Sequence, residues 1–422
     1  MTTSKRYPCL WLVLIVLCMA AVSPISAADT SSLPLDANKD DHISTDEMAI
    51  SVLTYLDQKY AGKGADADQY NDLCDGAYIY TYWSKTAKTV HDSFGQSVTL
   101  TRPIHRAVVM NAETAETMRS VGFDRAHVVG VGKYILEDPV FYPEYVGMPN
   151  VGSVWSPDYE QIISLSPDVV FIYADFMDSK SNEIQETIQS MNPAVHVLRY
   201  DLFTPDTYAE EVGLLAAAID REEGGAQFAA FYTRQMDMVT ERIAAIPEDE
   251  RVRVYFENAE DFKSCAAGSG FHDKIAIAGG QNIFENATPI YPVVNPESVL
   301  FANPEVVIKL QGTGKLDFGG YRDDDPSKTI EVYEGLFTRP GWNTIEAVKN
   351  GRIYIIDNDI FGGPKHFIGI LYLATWFYPD LFADMNPEEI HQEYLTTYQH
   401  STYDVRSQGV FVYPGTPSPK DG

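Results

Sequence analysis

The sequence predicts an α/β protein of two lobes, each built on a parallel sheet, joined by one long helix and preceded by a small helical module. Three observations lead there. Short β-branched runs alternate with helical patterns from about Thr89 onward, a helix–turn–strand unit recurs in both halves, and an amphipathic stretch of about 22 residues separates the halves.

The first half carries predicted strands at Arg106–Met110, His127–Val131, Val169–Tyr173 and His196–Tyr200. The second carries Arg253–Glu257, Val306–Leu310 and Arg352–Ile356. Continuous apolar runs of this kind suit strands covered on both faces, as in parallel sheets. Between Tyr208 and Ile246 no strand is expected, only helix interrupted at Gly224-Gly225. From Gly225 to Ile246, the residues Phe228, Phe231, Tyr232, Val239, Ile243 and Ile246 fall on one helical face, and Pro247 ends the run. At 1.5 Å per residue this helix is on the order of 33 Å long, a rigid strut between lobes. The repeat supports the division. Glu160 stands seven residues before Pro167-Asp168-Val169-Val170, and Glu297 seven before Pro304-Glu305-Val306-Val307.

These readings divide the chain into a leader (1–28), a helical module (29–88), an N-terminal ligand-binding lobe (89–207), inter-lobe helices (208–247), a C-terminal ligand-binding lobe (248–395) and a tail (396–422) expected to be poorly ordered at its extreme. In the leader, Lys5 and Arg6 precede an apolar run from Cys9 to Val22, and Ser26-Ala27-Ala28 offers small residues for cleavage. That is the layout of a secretory signal, so the chain is expected to be exported, periplasmic or at the cell surface. A lipid-anchored reading through Cys18 meets a poor neighbour in Leu17, and an uncleaved terminus is the rival. Beyond the leader, Cys74 and Cys265 are the cysteines that could pair in an oxidising compartment. The 422 residues carry a formal net charge of −29, which repels phosphate backbones and excludes nucleic acid as the expected partner.

The module opens on Asp36 to Glu47, a twelve-residue stretch with oxygen-bearing side chains at positions 1, 3, 5, 9 and 12 of a calcium loop. Asp36, Asn38, Asp40 and Ser44 would ligate through side chains, His42 through its carbonyl and Glu47 through both oxygens. Asp41 occupies the place where such loops prefer Gly. An EF-hand-like Ca2+ site is expected, followed by helices at Met48–Tyr60 and near Tyr70–Trp83, half of a dockerin-like module.

Thr89-Val90-His91-Asp92-Ser93-Phe94-Gly95, leading through Thr99-Leu100 to Pro103-Ile104-His105-Arg106-Ala107-Val108-Val109, resembles the opening of the binding proteins that serve ABC importers of ferric siderophores, haem and cobalamin. Leu165-Ser166-Pro167-Asp168-Val169-Val170 and the segment Ala347-Val348-Lys349-Asn350-Gly351-Arg352-Ile353-Tyr354 are similar to two further units of that family. The likeness covers about Thr89 to Leu395. It implies two Rossmann-like lobes, no enzymatic activity, a permease with its ATPase as partner, and one carboxylate per lobe that docks on permease arginines. By position these are Glu160 and Glu297. The implied cargo is a metal chelate, first a ferric siderophore-type complex, with a corrinoid or haem as the alternative.

In open α/β sheets the ligand lies off the carboxyl ends of the strands. The candidates there are Asn111, Lys133, Tyr134, Trp155 and Tyr173 from the first lobe, and Glu257, Phe271, Arg322, Lys365 and His366 from the second. Rings would cover a planar chelate, and Arg or Lys would meet its carboxylate or catecholate oxygens. His91, His272 and His366 lack ligand-type spacing for a bare-metal receptor, and Gly268-Ser269-Gly270 lacks the flanks of a nucleophile elbow. A calcium-dependent surface adhesin is the more remote reading.

Overall fold

The computed structural model describes residues 32–62, 66–175 and 178–415; the expected leader, 1–28, lies outside them. Two helices open the fold, α1 (Thr45–Tyr60) and α2 (Ala67–Tyr82), then a hairpin of β1 (Lys88–His91) and β2 (Ser97–Leu100). The N-terminal lobe is a four-stranded sheet of β3 (Ala107–Val109), β4 (Val128–Val131), β7 (Val169–Ile172) and β8 (His196–Arg199), in the order β4-β3-β7-β8 and parallel throughout. A small hairpin, β5 (Gly152–Ser153) with β6 (Ser156–Pro157), stands beside it. Its helices are α3 (Ala112–Ser120), α4 (Tyr159–Ser164) and α5 (Asp178–Met191).

Helices α6 (Tyr208–Ala218) and α7 (Glu222–Ile243) then lead to the C-terminal lobe. Its sheet has the order β10-β9-β11-β12-β13, from β9 (Val252–Glu257), β10 (Gly280–Asn282), β11 (Val306–Gln311), β12 (Ile353–Asp357) and β13 (Val412–Tyr413). All pair in parallel except β13, which adds to β12 antiparallel. Around it lie α8 (Gly270–Ile277), α9 (Pro296–Ala302), α10 (Ser327–Phe337), α11 (His366–Phe377) and α12 (Pro387–Glu393). The seven expected strands all form. The sequence reading missed β1–β2, β5–β6, β10 and β13, whose apolar runs are too short or too polar to stand out.

One expectation needs correcting. Helix α7 runs unbroken through Gly224 and Gly225. A Cβ on Gly224 would stand 2.2 Å from the Val121 carbonyl oxygen, and one on Gly225 2.4 Å from the Ala216 Cβ. The glycines are there for close approach rather than to break the helix. The tail is tied down as far as residue 415, and its extreme lies outside the described residues. Gln399 bonds into α3 through the Glu116 carbonyl and the Ser120 hydroxyl, and β13 closes the second sheet.

The strut is buried where the sequence places its apolar face, at Phe228, Phe231, Tyr232, Val239 and Ile243. It packs against α6 on one side and against α8 and α11 on the other, so one core cluster runs through both lobes. The module joins the inter-lobe helices through Trp83, whose Nε1 donates to Asp220 Oδ1 at 2.9 Å, and through Lys88, 2.6 Å from the same oxygen. No disulfide links Cys74 and Cys265. Among the described residues, no helix is long and apolar enough to cross a membrane.

Candidate functional site

Each helix that follows a strand begins at that strand's carboxyl end, so the two sheets gather loops and helix N-termini on one side of each lobe. The two collections meet. Glu116 on α3 accepts from Lys365 Nζ at 2.7 Å through Oε2, across 249 residues, and from the Tyr394 hydroxyl through Oε1 at 2.5 Å. The Lys365 ammonium also lies 3.8 Å from the centre of the Phe141 ring, which in turn packs on Tyr321 at 4.8 Å between centroids. A charge pair this deep is sustained because every partner is hydrogen-bonded.

Around this junction the structure brings together Tyr173, Lys365, His366 and Phe271 from the expected set. The Tyr173 hydroxyl donates to Glu113 Oε2 at 2.7 Å, and burial first, then the Glu113 charge, push its pKa well up. Tyr134 is half exposed. His366 is fully buried, with Nδ1 donating to the Gly363 carbonyl and Nε2 accepting from the Tyr232 hydroxyl at 2.8 Å. Phe271 stacks on Phe256 and Phe361, and Lys274 Nζ sits 5.5 Å from the rings of both Phe271 and Phe361 while donating to the Phe361 carbonyl.

Other expected contacts are placed differently. Glu257 is buried under two cations, Lys309 at 2.7 Å and a bidentate Arg339, and also accepts from the Tyr255 hydroxyl. It is a sealed charge cluster, not a free ligand group. Asn111 is buried with Nδ2 donating to the Tyr200 carbonyl, and its Oδ1 has no partner. Arg322 is exposed and paired with Asp317, and Lys133 pairs with Glu137 one helical turn on. Trp155 stands 64% exposed at the tip of the β5–β6 hairpin, and no ring contact or hydrogen bond joins it to the junction among the described residues. The expected ligand-binding cations of the cleft, Lys365 above all, are therefore already engaged.

The acids tell the complementary story. Burial raises the pKa of Glu113, and burial with the neighbouring Asp359 raises that of Asp357. Burial lowers the Lys274 pKa to about 8. Glu116, Phe141 and Lys274 escaped the sequence reading. Glu116 had a signal, since it follows Glu113 by three positions on one helix face. Phe141 lies in an aperiodic loop and had none.

Glu160 and Glu297 are both exposed in the first turn of a helix, α4 and α9. Each helix is capped by the Asx residue ahead of it, Asp158 on the Gln161 amide and Asn295 on the Glu297 amide. Neither glutamate side chain makes a hydrogen bond or ion pair among the described residues. The second acids of the repeat behave otherwise. Asp168 accepts from the His105 and Arg106 amides, and Glu305 from the Arg253 amide, each tying the start of a neighbouring strand.

In the loop 36–47, Lys39 and Asp41 take positive φ of 60° and 61°. Asp36 accepts from the Asp40 and Asp41 amides, and Asp40 from the His42 amide. Glu47 accepts from Ala37 and Asn38 through one oxygen and from the Ser44 amide and hydroxyl through the other. These bonds, those of Ser44 foremost, lower the Glu47 pKa to about 2. The carboxylates hold main-chain amides rather than facing one another, and no group of three metal-binding side chains converges among the described residues.

Comparison with known proteins places this geometry. The model of the periplasmic binding protein family matches residues 108–360, which excludes the loop 36–47. The molybdate-binding protein MolA of Haemophilus influenzae is 23% identical over 348 residues, covering 75% of this chain and 92% of that protein. A cobalamin-binding protein of Halobacterium salinarum is 27% identical over 237 residues, 54% of this chain and 60% of its own length. Among solved structures, the TroA-like periplasmic binding protein FepB of Veillonella parvula superposes with a TM-score of 0.67 at 22% identity, covering 77% of this chain and 98% of that one.

Proposed function

This chain belongs to the periplasmic binding protein family, as the non-enzymatic substrate-binding component of an ABC importer, and we propose that its cargo is a metal chelate held between the two lobes. The observation that carries the reading is the junction itself. The rings of the expected lining come from both lobes (Tyr134, Tyr173, Phe271), and its cations Lys365 and Arg322 are already satisfied, by Glu116 and Asp317. Such a lining offers apolar area to a large ligand and little attraction to a bare oxyanion. A ferric siderophore-type complex of low negative charge fits first. A corrinoid is the second reading, favoured by the likeness to the cobalamin-binding relative. The test is calorimetric titration with a ferric hydroxamate, ferric citrate, cyanocobalamin, haem and molybdate. Binding of the hydroxamate or the corrinoid is expected; molybdate binding alone would overturn the chelate reading.

Glu160 and Glu297 are, in the same proposal, the groups that dock the loaded receptor on its permease, one from each lobe. Their exposure and lack of partners support this. Asp168 and Glu305 are structural ties and drop out.

We also propose that the loop 36–47 takes Ca2+. Its donors are all oxygens, which suits a hard cation, and Lys39 and Asp41 already adopt the left-handed turns that curl such a loop. Asp36, Asn38, Asp40, Ser44 and Glu47 would supply side chains and His42 its carbonyl. Titration of chelator-treated protein should give heat of binding, with Glu47→Gln weakening it most. No heat at millimolar calcium refutes the site.

A further inference from the structure

The two lobes expose few large apolar side chains, and the most exposed of them cluster in sequence beside the two free glutamates. Phe301 is 93% exposed, Val293 79% and Trp155 64%. Val146, next at 63%, lies in the segment that leads into the β5–β6 hairpin carrying Trp155. On α9, Phe301 follows Glu297 by four positions, so the ring and the carboxylate share one helix face. Val293 precedes the same glutamate by four residues. In the first lobe, Trp155 tips the hairpin whose second strand runs directly into α4, five residues before Glu160.

The placement is symmetric by construction. In each lobe the C-terminal end of the short helix feeds the amino end of a strand, α4 into β7 and α9 into β11. The helix N-terminus, and the glutamate on it, is therefore carried toward the side where the strands' carboxyl ends lie. Both lobes present the same chemistry there, a lone carboxylate with an exposed apolar side chain four or five residues from it in the chain. Aromatic anchors of this kind, rimmed by charge, are what binding surfaces use, and an isolated soluble protein gains nothing from exposing them.

We infer that Trp155 in the first lobe, and Phe301 with Val293 in the second, are apolar anchors of the permease-docking face. Each seats in an apolar recess beside a cationic residue of a two-fold membrane partner. The inference rests on the reading that Glu160 and Glu297 dock the receptor. The carboxylates set orientation and encounter, whereas the rings supply the desolvated contact that sets how long the complex lasts.

The experiment measures binding of the ligand-loaded receptor to its permease–ATPase complex in nanodiscs, by interferometry, alongside ligand affinity and thermal midpoint. Trp155→Ala and Phe301→Ala should each weaken docking about tenfold, mostly through faster dissociation, with ligand affinity and midpoint unchanged. Trp155→Gln and Phe301→Gln, which keep part of the side chain's length and make it polar, should do the same. If the aromatic variants dock like the parent while Glu160→Gln/Glu297→Gln does not, the anchors are refuted and the carboxylate reading stands. If the aromatic variants lose docking while the glutamate pair does not, the anchors stand and the carboxylate reading falls. If sedimentation shows self-association that Phe301→Ala abolishes with docking intact, the face belongs to a second copy and the inference is overturned.

Discussion

Two histidines, His366 and His391, are fully buried, and each turns Nε2 to a tyrosine hydroxyl, Tyr232 at 2.8 Å and Tyr321 at 2.6 Å. Burial lowers both pKa values from 6.5 to about 3. Between those values the unfolded chain binds more protons than the folded one, so stability rises with pH and is lost on acidification from about 6.5 toward 3. Each histidine should contribute a slope of about 1.4 kcal/mol per pH unit in that window. Glu113 and Asp357, with raised carboxyl pKa values, act in the opposite sense. The clean readout is thus a difference. Urea midpoints of the parent and His391→Gln, measured from pH 7 to 4, should converge on acidification. Parallel curves would show that His391 titrates normally and is not sealed.

The helices α6 and α7 show how one residue type serves opposite ends. Gly224 sits against the Val121 carbonyl, where a Cβ has no room, whereas Gly213 on α6 has nothing within 4 Å. Gly224→Ala gains about 1 kcal/mol of helix propensity but forces backbone apart, and a net loss of about 2 kcal/mol is expected. Gly213→Ala should instead stabilise by about 0.5–1 kcal/mol, since only the entropy term changes. Thermal midpoints of the two variants should move in opposite directions. A fall in both would mean that α6 needs the flexibility of Gly213.

Across the whole molecule, the Glu116–Lys365 pair is an ion pair that spans the lobes at the candidate site. Glu116→Gln leaves an ammonium buried beside Phe141 and Tyr321, and should cost about 3–5 kcal/mol. Adding Lys365→Met removes the stranded charge and should recover part of that loss, a coupling of about 1–3 kcal/mol in a double-mutant cycle. Additive losses would mean that the pair does not hold the lobes. The same pair underlies the proposal of a chelate rather than an oxyanion as cargo. The cation that the sequence offered to a ligand is committed to the opposite lobe.

The sequence by itself determined the two α/β lobes, their strands, the long helix between them and the repeat that puts Glu160 and Glu297 in matching places. Those are local or periodic properties: apolar runs, 3.6-residue spacing, an Asx cap and a proline stop act over a few residues and leave a readable trace. Only the tertiary structure decided which candidate groups are free. Lys365 reads as an available cation until Glu116 is brought to it from 249 residues away, and Glu257 reads as a cleft carboxylate until Lys309 and Arg339 close over it. Gly224-Gly225 reads as a break until Val121 and Ala216 arrive against it. In each case the deciding partner is distant in the chain. Burial and charge pairing depend on what is close in space, and no window of neighbouring residues records that.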